Sequence, residues 1–474
     1  MLSDIISNIT SSAKFLEVIN LNLGTTALIK KNIYTPVRVL ALGFALLIFI
    51  GAILLSLPIA SQSGKITPFI DCIFTSTSSV CVTGLVVLDT GTYWTYFGKT
   101  VIMLLIEIGG LGFMSVATLV FLVLGRRITL KERLVMQEAL NVNSLQGLVK
   151  MVKYVLAFTV LVEAVGAVLF STQFIPEFGI SKGIYYSVFH AVSAFCNAGF
   201  DLMGNFTSVT GYANNSVIIL TMSALTVIGG LGFYVWVDIY NRNGIKRLSL
   251  HSRVVINTTL VLIVLGAIFM FIFEMNNPST MQGMSIKGKF LSSIFASVAP
   301  RTAGFNSIPT DKMTTAGKFL TMILMFIGGS PGSTAGGVKT ATAVVLFMTV
   351  MSVVKGREDT EIFQKRINKE VVYKAFVISI LALALVISVT MILSITEPPN
   401  IRFEYLLFEA TSAYATVGLT LGLTTKLTVV GKIIIMFTMY AGRVGPLTII
   451  LALAKSKKAK SGTIKYPEDK ILIG

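Results

Sequence analysis

Four short polar inserts interrupt an otherwise apolar chain: Cys81-Val82-Thr83-Gly84-Leu85, Cys196-Asn197-Ala198-Gly199-Phe200, Arg301-Thr302-Ala303-Gly304-Phe305 and Ala415-Thr416-Val417-Gly418-Leu419. Their glycines are 115, 105 and 114 residues apart (84 to 199, 199 to 304, 304 to 418), which indicates one structural unit repeated four times. Inside a membrane, irregular backbone survives only where protein buries it or where it lines a watery cavity. Four such inserts therefore predict one shared pore.

The composition places the chain in a membrane. Of its 474 residues, 54% are hydrophobic and 13% are charged, and the mean hydropathy is +0.80, which is more apolar surface than a soluble core could hide. Despite a net charge of +17, nucleic-acid binding is not indicated, because 26 of the 39 Lys and Arg lie in five segments: up to residue 38, 126–153, 242–253, 355–374 and 455–470. These alternate with the insert-bearing segments, as cytoplasmic loops do. We predict a multi-pass plasma-membrane protein with both termini in the cytoplasm and contacts to anionic lipid.

Disulfide, metal and enzyme chemistry have little support in the sequence. Cys72, Cys81 and Cys196 give an odd count without paired spacing, and two histidines, His190 and His251, cannot build a metal site by themselves. No Ser-His, Cys-His or paired-carboxylate set appears. We therefore expect neither an intramembrane enzyme nor a covalently bound cofactor.

Seven apolar runs are long enough to cross about 30 Å of hydrocarbon: 37–60, 100–124, 154–174, 217–239, 254–273, 371–395 and 433–454. An eighth run, 319–354, is interrupted by small and polar residues at 328–340, so neither half spans the membrane. Shorter segments run directly into the inserts and fit re-entrant pore helices: 66–80, 184–195, 286–300 and 402–414.

The predicted fold class is therefore an all-α polytopic membrane protein. Four pseudo-repeated helix, pore-helix, helix units supply eight spans and four re-entrant pore helices around one central pore. The predicted divisions are a cytoplasmic leader (1–34), unit 1 (35–125), unit 2 (150–241), unit 3 (252–355), unit 4 (370–455) and a cytoplasmic tail (456–474).

The second full helix of each unit carries small residues at a similar depth. These are Gly109-Gly110-Leu111-Gly112-Phe113, Gly229-Gly230-Leu231-Gly232-Phe233, the interruption at 328–340, and Gly442-Arg443-Val444-Gly445-Pro446. Small residues let transmembrane helices approach closely, and we take close packing as the simpler explanation in units 1 and 2. Close packing does not account for the clusters of units 3 and 4, which contain the long interruption at 328–340 and Arg443.

The inserts are suited to binding a dehydrated monovalent cation. Rings of backbone carbonyls replace the hydration shell of potassium in ion filters, glycine reaches φ > 0 without steric cost, and pore helices aim their partly negative C-terminal ends at the site. We predict K⁺ on the backbone of Gly84, Gly199, Gly304 and Gly418, in a filter made of Cys81, Val82, Thr83, Gly84, Cys196, Asn197, Ala198, Gly199, Arg301, Thr302, Ala303, Gly304, Ala415, Thr416, Val417 and Gly418. Asp89 and Asp201, just beyond the first two inserts, either attract cations at the mouth or serve as loop residues.

From about residue 35 to 455, these features resemble the Ktr/Trk/HKT superfamily of potassium transporters. The specific combination is four glycine inserts, the break Gly-Ser-Pro-Gly-Ser-Thr-Ala-Gly-Gly at 329–337, and Arg443 in the last helix. In this family a glycine in the first insert goes with potassium, whereas serine goes with sodium in some plant relatives, so Gly84 implies a potassium-type filter. One apolar run before the first insert resembles the Ktr branch, because Trk-type subunits carry an additional N-terminal hairpin.

The break at 328–340 is predicted to be a gate. It comes close to a phosphate-binding P-loop, but Val338 separates Lys339 from the second glycine and no strand precedes it. Its gate residues are Gly332, Ser333, Thr334, Ala335, Gly336, Gly337 and Lys339, and by resemblance this is the intramembrane gate loop of the family. An intramembrane arginine is a functional hypothesis by default, so Arg443 is expected to form an electrostatic barrier facing the loop, to hydrogen-bond its carbonyls, or both.

Arg301 begins the third insert, where a positively charged side chain that faced the pore would repel the transported cation. We expect its side chain to point behind the filter and to pair with a carboxylate, and Glu107, Glu163 and Glu409 are the candidates in otherwise apolar segments. His190 and Glu409 each precede an insert glycine by nine residues (190 to 199, 409 to 418), which indicates equivalent pore-helix positions rather than a proton relay.

The favoured function is potassium uptake. A Trk-type or less selective potassium/sodium transporter stays open as an alternative, as does an alternating-access carrier, although such carriers usually show two repeats rather than four. Family resemblance implies a homodimer on a cytosolic ring of nucleotide-binding (RCK-type) regulatory subunits. It leaves open whether Na⁺ activates transport.

Overall fold

The computed structural model describes residues 36–112, 114–118, 128–140, 147–241, 247–446, 448 and 450. The predicted leader and tail lie outside the described residues, as do 35, 113 and 119–125 of unit 1 and 447, 449 and 451–455 of unit 4.

The described helices follow the predicted order. Unit 1 contains α1 (Pro36–Ser56), α2 (Phe69–Val80) and α3 (Tyr96–Leu111), and α4 (Leu130–Leu140) follows it. Unit 2 contains α5 (Leu148–Phe178), α6 (Ile180–Phe195), α7 (Ser216–Gly230) and α8 (Phe233–Asn241). Unit 3 contains α9 (Leu250–Glu274), α10 (Ile286–Val298), α11 (Thr315–Phe326) and α12 (Thr340–Val354). An antiparallel hairpin, β1 (Glu361–Ile362) and β2 (Lys365–Arg366), precedes α13 (Lys369–Thr396), α14 (Phe403–Ala415) and α15 (Val429–Val444) of unit 4.

The first helix of each unit is a continuous span. Among the described helices, four are long and apolar enough to cross a membrane without a break, namely α1, α5, α9 and α13, with mean hydropathies of 2.8, 2.1, 2.6 and 2.9. Only 22–33% of each apolar stretch is buried within the protein, so most of its surface is available to lipid. Together with the pore helices α2, α6, α10 and α14, these spans confirm the predicted fold class.

The second helices are not continuous spans, which corrects the predictions for 100–124, 217–239 and 433–454. In unit 2 the helix bends by 85° between α7 and α8. The α3 and α15 helices likewise end within their glycine clusters, at Leu111 and Val444. Every unit is therefore interrupted at this depth, as had been expected of unit 3 alone.

Glycine backbone conformation explains these interruptions. Gly112, Gly232 and Gly445 have φ values of 79°, 93° and 92°, a region that glycine enters without steric cost and a right-handed helix does not use. Earlier in each cluster, a methyl group on Gly109 or Gly229 would collide with the carbonyl that ends the preceding pore helix. The clusters thus both permit close packing and end the helices.

The second helices of units 3 and 4 begin at the same kind of cap. Glu274 accepts hydrogen bonds at 2.8 Å from both the backbone N–H and the hydroxyl of Thr314. Glu397 accepts equivalent bonds from Thr428, at 3.1 and 2.8 Å. A carboxylate at the end of the first helix of the unit thereby satisfies the N-cap N–H of the second full helix and complements its positive dipole end.

The four units close into a ring. The second helix of each unit packs against the pore helix of the next: α3 on α6, α7 on α10, α11 on α14, and α15 back on α2. Lys432 of α15 pairs with Asp71 of α2 at 2.6 Å, and Lys318 of α11 pairs with Glu404 of α14 at 3.5 Å. This cyclic packing brings the four inserts to a common axis.

Candidate functional site

The four insert glycines form a closed ring, called the insert ring below: Gly84, Gly199, Gly304 and Gly418. A methyl group on Gly84 would lie 2.5 Å from the carbonyl oxygen of Ala198, and one on Gly199 would lie 3.0 Å from that of Ala303. On Gly304 and Gly418 it would meet the carbonyls of Val417 and Thr83. Each glycine therefore faces the carbonyl that precedes the next glycine, in the cyclic order of the units.

Each insert adopts the same unusual backbone conformation. The ring glycines have φ values of 90°, 69°, 77° and 94°. Two residues earlier, non-glycine residues are also left-handed: Val82, Asn197, Thr302 and Thr416, with φ of 56°, 60°, 74° and 50°. Such conformations cost about 1–3 kcal/mol each and persist only where the surrounding structure imposes them. Their recurrence at one position in four units marks the inserts as a shared, preorganised site.

Pore-helix serines hold three of the inserts in place. Gly84 donates its N–H to Ser78 Oγ at 3.0 Å, and Gly418 donates to Ser412 Oγ at 3.1 Å. In unit 2 the equivalent Ser193 donates to the carbonyl of Phe200 at 2.7 Å. Because these bonds satisfy polar groups away from water, they fix the insert without exposing a charge to the axis.

His190 and Glu409 perform the same task in units 2 and 4. His190 Nε2 lies 3.3 Å from the backbone nitrogen of Leu202, and its other ring nitrogen contacts the carbonyl of Tyr186. Glu409 accepts hydrogen bonds from the hydroxyls of Thr420 and Thr424 at 2.6 and 2.5 Å. Both side chains tie the loop after the insert to the pore helix, as expected for equivalent positions rather than a relay.

A cavity of about 670 Å³ opens onto the insert ring. It is lined by the four ring glycines and by loop residues that follow the inserts, including Asp89, Asp201 and Asp311. Asp89 has a structural role in these loops, because its two oxygens accept hydrogen bonds from Thr92 and from the backbone N–H of Phe206. Asp201 accepts one from Met203 at 3.0 Å.

The non-helical segment 327–339, called the break loop below, contacts the residues that precede the ring glycines. Thr334 donates to the carbonyl of Phe195 at 3.3 Å, at the end of pore helix α6. A methyl group on Gly328 would lie 3.4 Å from Thr302, and one on Gly337 would lie 3.3 Å from Ala415. The cavity and the break loop therefore adjoin opposite ends of the inserts.

The bent helix of unit 2 also holds the break loop, a contribution that sequence analysis missed. Ser330 donates its N–H to the carbonyl of Gly230 at 3.0 Å, and Phe233 donates to the carbonyl of Gly332 at 2.9 Å. The glycine cluster around Gly232 is the sequence signal for this contact. It was explained by close helix packing, which requires the same residues as a helix break.

Arg443 connects the break loop to unit 1. Its guanidinium donates to the carbonyl of Thr334 in the loop, and to the carbonyls of Gly109 and Gly110 at 2.5 and 3.0 Å. Lys339 donates to the carbonyl of Ala335 within the loop. The side chains of Arg443 and Lys339, with their hydrogen bonds to backbone carbonyls, thus lie beside the inserts.

Arg301 points behind the insert, but the expected carboxylate partner is wrong. Its guanidinium lies 3.5 and 3.4 Å from the carbonyl and hydroxyl oxygens of Thr259, and among the described residues it forms no ion pair. Glu107 contacts Cys196 instead. The side chain is 7% exposed, so the hydrogen bonds to Thr259 replace only part of its hydration.

Comparison with known proteins agrees with this architecture. The family model TrkH, described as a cation transport protein, matches residues 22–463. The potassium/sodium uptake protein NtpJ of Enterococcus hirae is 44% identical over 93% of this chain and 97% of that protein. The Ktr system potassium uptake protein B of Bacillus subtilis is 41% identical over the same shares of the two chains.

A solved structure supports the fold. The potassium transporter TrkH from Vibrio parahaemolyticus superposes with a TM-score of 0.68, covering 87% of this chain and 84% of that one at 17% identity. The family match and the two sequence relatives confirm the resemblance to the Ktr/Trk/HKT superfamily, and they make the chain a transport protein rather than an enzyme. On the extent of the family match and the identity of its relatives, this membrane protein belongs to the TrkH family of cation transport proteins.

Proposed function

We propose that this chain takes up potassium across the plasma membrane through the insert ring. The observation that carries the proposal is the closed cyclic order in which each ring glycine faces the carbonyl preceding the next one. Four sets of peptide oxygens replace the water shell of K⁺ without the deep trap that a carboxylate would create. The names of the Enterococcus and Bacillus relatives, which refer to potassium/sodium and potassium uptake, support this cargo.

The break loop and Arg443 form the gate of the proposed pathway. Gly336 and Gly337 let the loop backbone pack closely against Thr416 and Ala415 of the fourth insert, and Arg443 holds the loop there through Thr334. The positive charge of Arg443 raises the electrostatic cost of passage for a cation. Opening then requires the loop and the guanidinium to separate from the axis.

Uptake by the purified protein is the direct test. In proteoliposomes we expect rubidium uptake well above that of empty liposomes, with strong competition by K⁺ and weaker competition by Na⁺. Equal competition by the two ions would contradict a potassium-type ring and favour the less selective alternative. Uptake coupled to a counter-ion at fixed stoichiometry would favour a carrier. Rubidium uptake measured without K⁺, with and without added Na⁺, tests separately whether Na⁺ activates transport.

We further propose that the chain works as a homodimer on a cytosolic ring of nucleotide-binding regulatory subunits. The Bacillus relative is named as part of a Ktr system, which supports a separate component. Both termini are proposed to face the cytoplasm, where the basic loops contact the partner or anionic lipid. Adding ATP or ADP is expected to change uptake, but only when such a partner is present. Indifference to both nucleotides in the mixed sample would contradict the regulatory proposal.

A further inference from the structure

A cluster of sulfur and carboxylate ligands adjoins the start of the second insert, at Cys196. Glu107 of α3, Glu163 of α5 and Cys196 each present a ligand atom, and these three atoms all lie within 4.8 Å of one another. Cys196 is fully buried, and its Sγ lies 3.4 Å from Glu107 Oε2. Two units of the fold are needed to assemble the cluster, since Glu107 belongs to unit 1.

The cluster lacks a partner for its negative charge. Among the described residues neither glutamate forms an ion pair, and Glu163 Oε1 is a buried atom without a hydrogen-bond partner. Two adjacent carboxylates in a membrane segment do not both stay ionised unless something neutralises them, either a shared proton or a bound cation. The guanidinium of Arg443 donates its hydrogen bonds to backbone carbonyls, including those of Gly109 and Gly110, rather than to either glutamate.

The ligand types indicate which cation the cluster would accept in place of a shared proton. The Cys196 thiol donates a hydrogen bond to Glu107 Oε2 at 3.4 Å. Tetrahedral zinc, with Zn–S of about 2.3 Å and Zn–O of about 2.0 Å, holds sulfur and oxygen about 3.5 Å apart, so a metal that displaces this proton would need little movement of the two ligand atoms. Mg²⁺ and Ca²⁺ prefer oxygen ligands alone, whereas a thiolate selects softer metals. Glu107 is partly exposed, so the cluster is not sealed within the protein. We propose that Glu107, Glu163 and Cys196 bind a thiophilic divalent cation such as Zn²⁺ or Cd²⁺, with a fourth position open to water.

The cluster is contiguous with the second insert and with the gate arginine. Cys196 begins the second insert and directly precedes the left-handed Asn197. A methyl group on Gly110 would lie 2.7 Å from Cys196 Sγ, and the Gly110 carbonyl binds Arg443, so the metal site, the insert and the gate arginine are contiguous. We therefore expect bound metal to stiffen this region and slow uptake, an effect that rests on the proposed function.

Cadmium binding by the full-length protein in detergent tests the site directly. We expect one Cd²⁺ per chain, with the ultraviolet absorption of a cadmium-thiolate bond. Cys196→Ser should remove that absorption, and the isosteric Glu163→Gln should weaken binding by more than about tenfold. Cys72→Ser is the matched control, because Cys72 is also a buried free thiol, and it should bind as the wild type does. No absorption in the wild type, or full affinity in Glu163→Gln, would overturn the site.

Rubidium uptake then tests the consequence, with each variant compared with its own metal-free rate. Cd²⁺ should slow the wild type and Cys72→Ser, and should have little effect on Glu163→Gln. Binding without slowed uptake would overturn the inhibitory role and leave the site intact. Wild-type protein that takes up no rubidium without metal would contradict the proposed function, whereas cadmium absorption would still report on the site.

Discussion

Gly84→Ala is expected to reduce rubidium uptake at least tenfold. The added methyl group would lie 2.5 Å from the carbonyl oxygen of Ala198, and alanine at a φ of 90° is strained by about 1–2 kcal/mol. Each 1.4 kcal/mol corresponds to a factor of about ten. Because the obstructing atom is a backbone oxygen of the ring, relief of the collision must move a proposed ligand. Uptake into proteoliposomes at equal protein density measures the effect.

Two control substitutions separate ring geometry from general damage. Gly64 has a φ of 66° with open space where a methyl group would lie, so Gly64→Ala introduces backbone strain without touching the ring. Gly283→Ala adds a methyl group in open space without a left-handed backbone. Both should retain uptake. Normal uptake by Gly84→Ala, or equal losses in Gly84→Ala and Gly64→Ala, would contradict the role of the ring.

Gly84→Ser tests selectivity at the same position. Its side chain adds an oxygen beside the ring as well as a Cβ atom, and family resemblance associates serine here with sodium. We expect the preference for K⁺ over Na⁺ to fall, measured as the ratio of the two ions needed to halve rubidium uptake. An unchanged ratio in a variant that still transports would place selectivity elsewhere.

Arg443→Gln is expected to raise cation flux by about tenfold. Arg443 makes three hydrogen bonds to carbonyls of the break loop and unit 1, and hydrogen bonds from charged donors contribute about 1.5–3 kcal/mol each. Losing the equivalent of one such bond shifts the gate equilibrium about tenfold toward the open form, and removal of the charge lowers the barrier further. Deletion of residues 332–337 should raise flux at least as much.

Arg443→Lys separates charge from attachment, because lysine keeps the charge but cannot form the guanidinium fork. We expect its flux to lie between those of the wild type and Arg443→Gln. Arg357→Gln is the matched control, since Arg357 pairs with Glu361 at the protein surface, and its flux should match the wild type. Unchanged flux in both Arg443→Gln and the loop deletion would count against gating by this segment.

The sequence predicted the repeated architecture well, for an identifiable physical reason. The four long spans follow from continuous apolar runs, because crossing hydrocarbon demands about 20 apolar residues whatever surrounds them. The pore helices ending at Val80 and Phe195 were predicted from short segments that lead into inserts. The limits of the four units stay predictions.

The second helices were wrongly predicted to be continuous, because glycine in a membrane helix either permits close packing or ends the helix. Hydropathy averaged over a window does not distinguish a glycine that permits close packing from one that ends a helix. At Gly232 a methyl group would lie 2.7 Å from the carbonyl oxygen of Pro331, which is about a hundred residues away in the chain, so the contact that this glycine makes cannot be recognised from the local sequence.

By itself, then, the sequence determined what depends on composition and period: a membrane protein of four homologous units, each with a glycine insert. Only the tertiary structure decided which side chains meet. In the folded protein Arg301 donates a hydrogen bond to Thr259 instead of pairing with a carboxylate. The ligand atoms of Glu107, Glu163 and Cys196 lie close together, although no spacing in the sequence relates these residues. The physical reason is that apolar burial acts on each segment separately, whereas hydrogen bonds and metal ligation act over a few ångströms and depend on how the units pack.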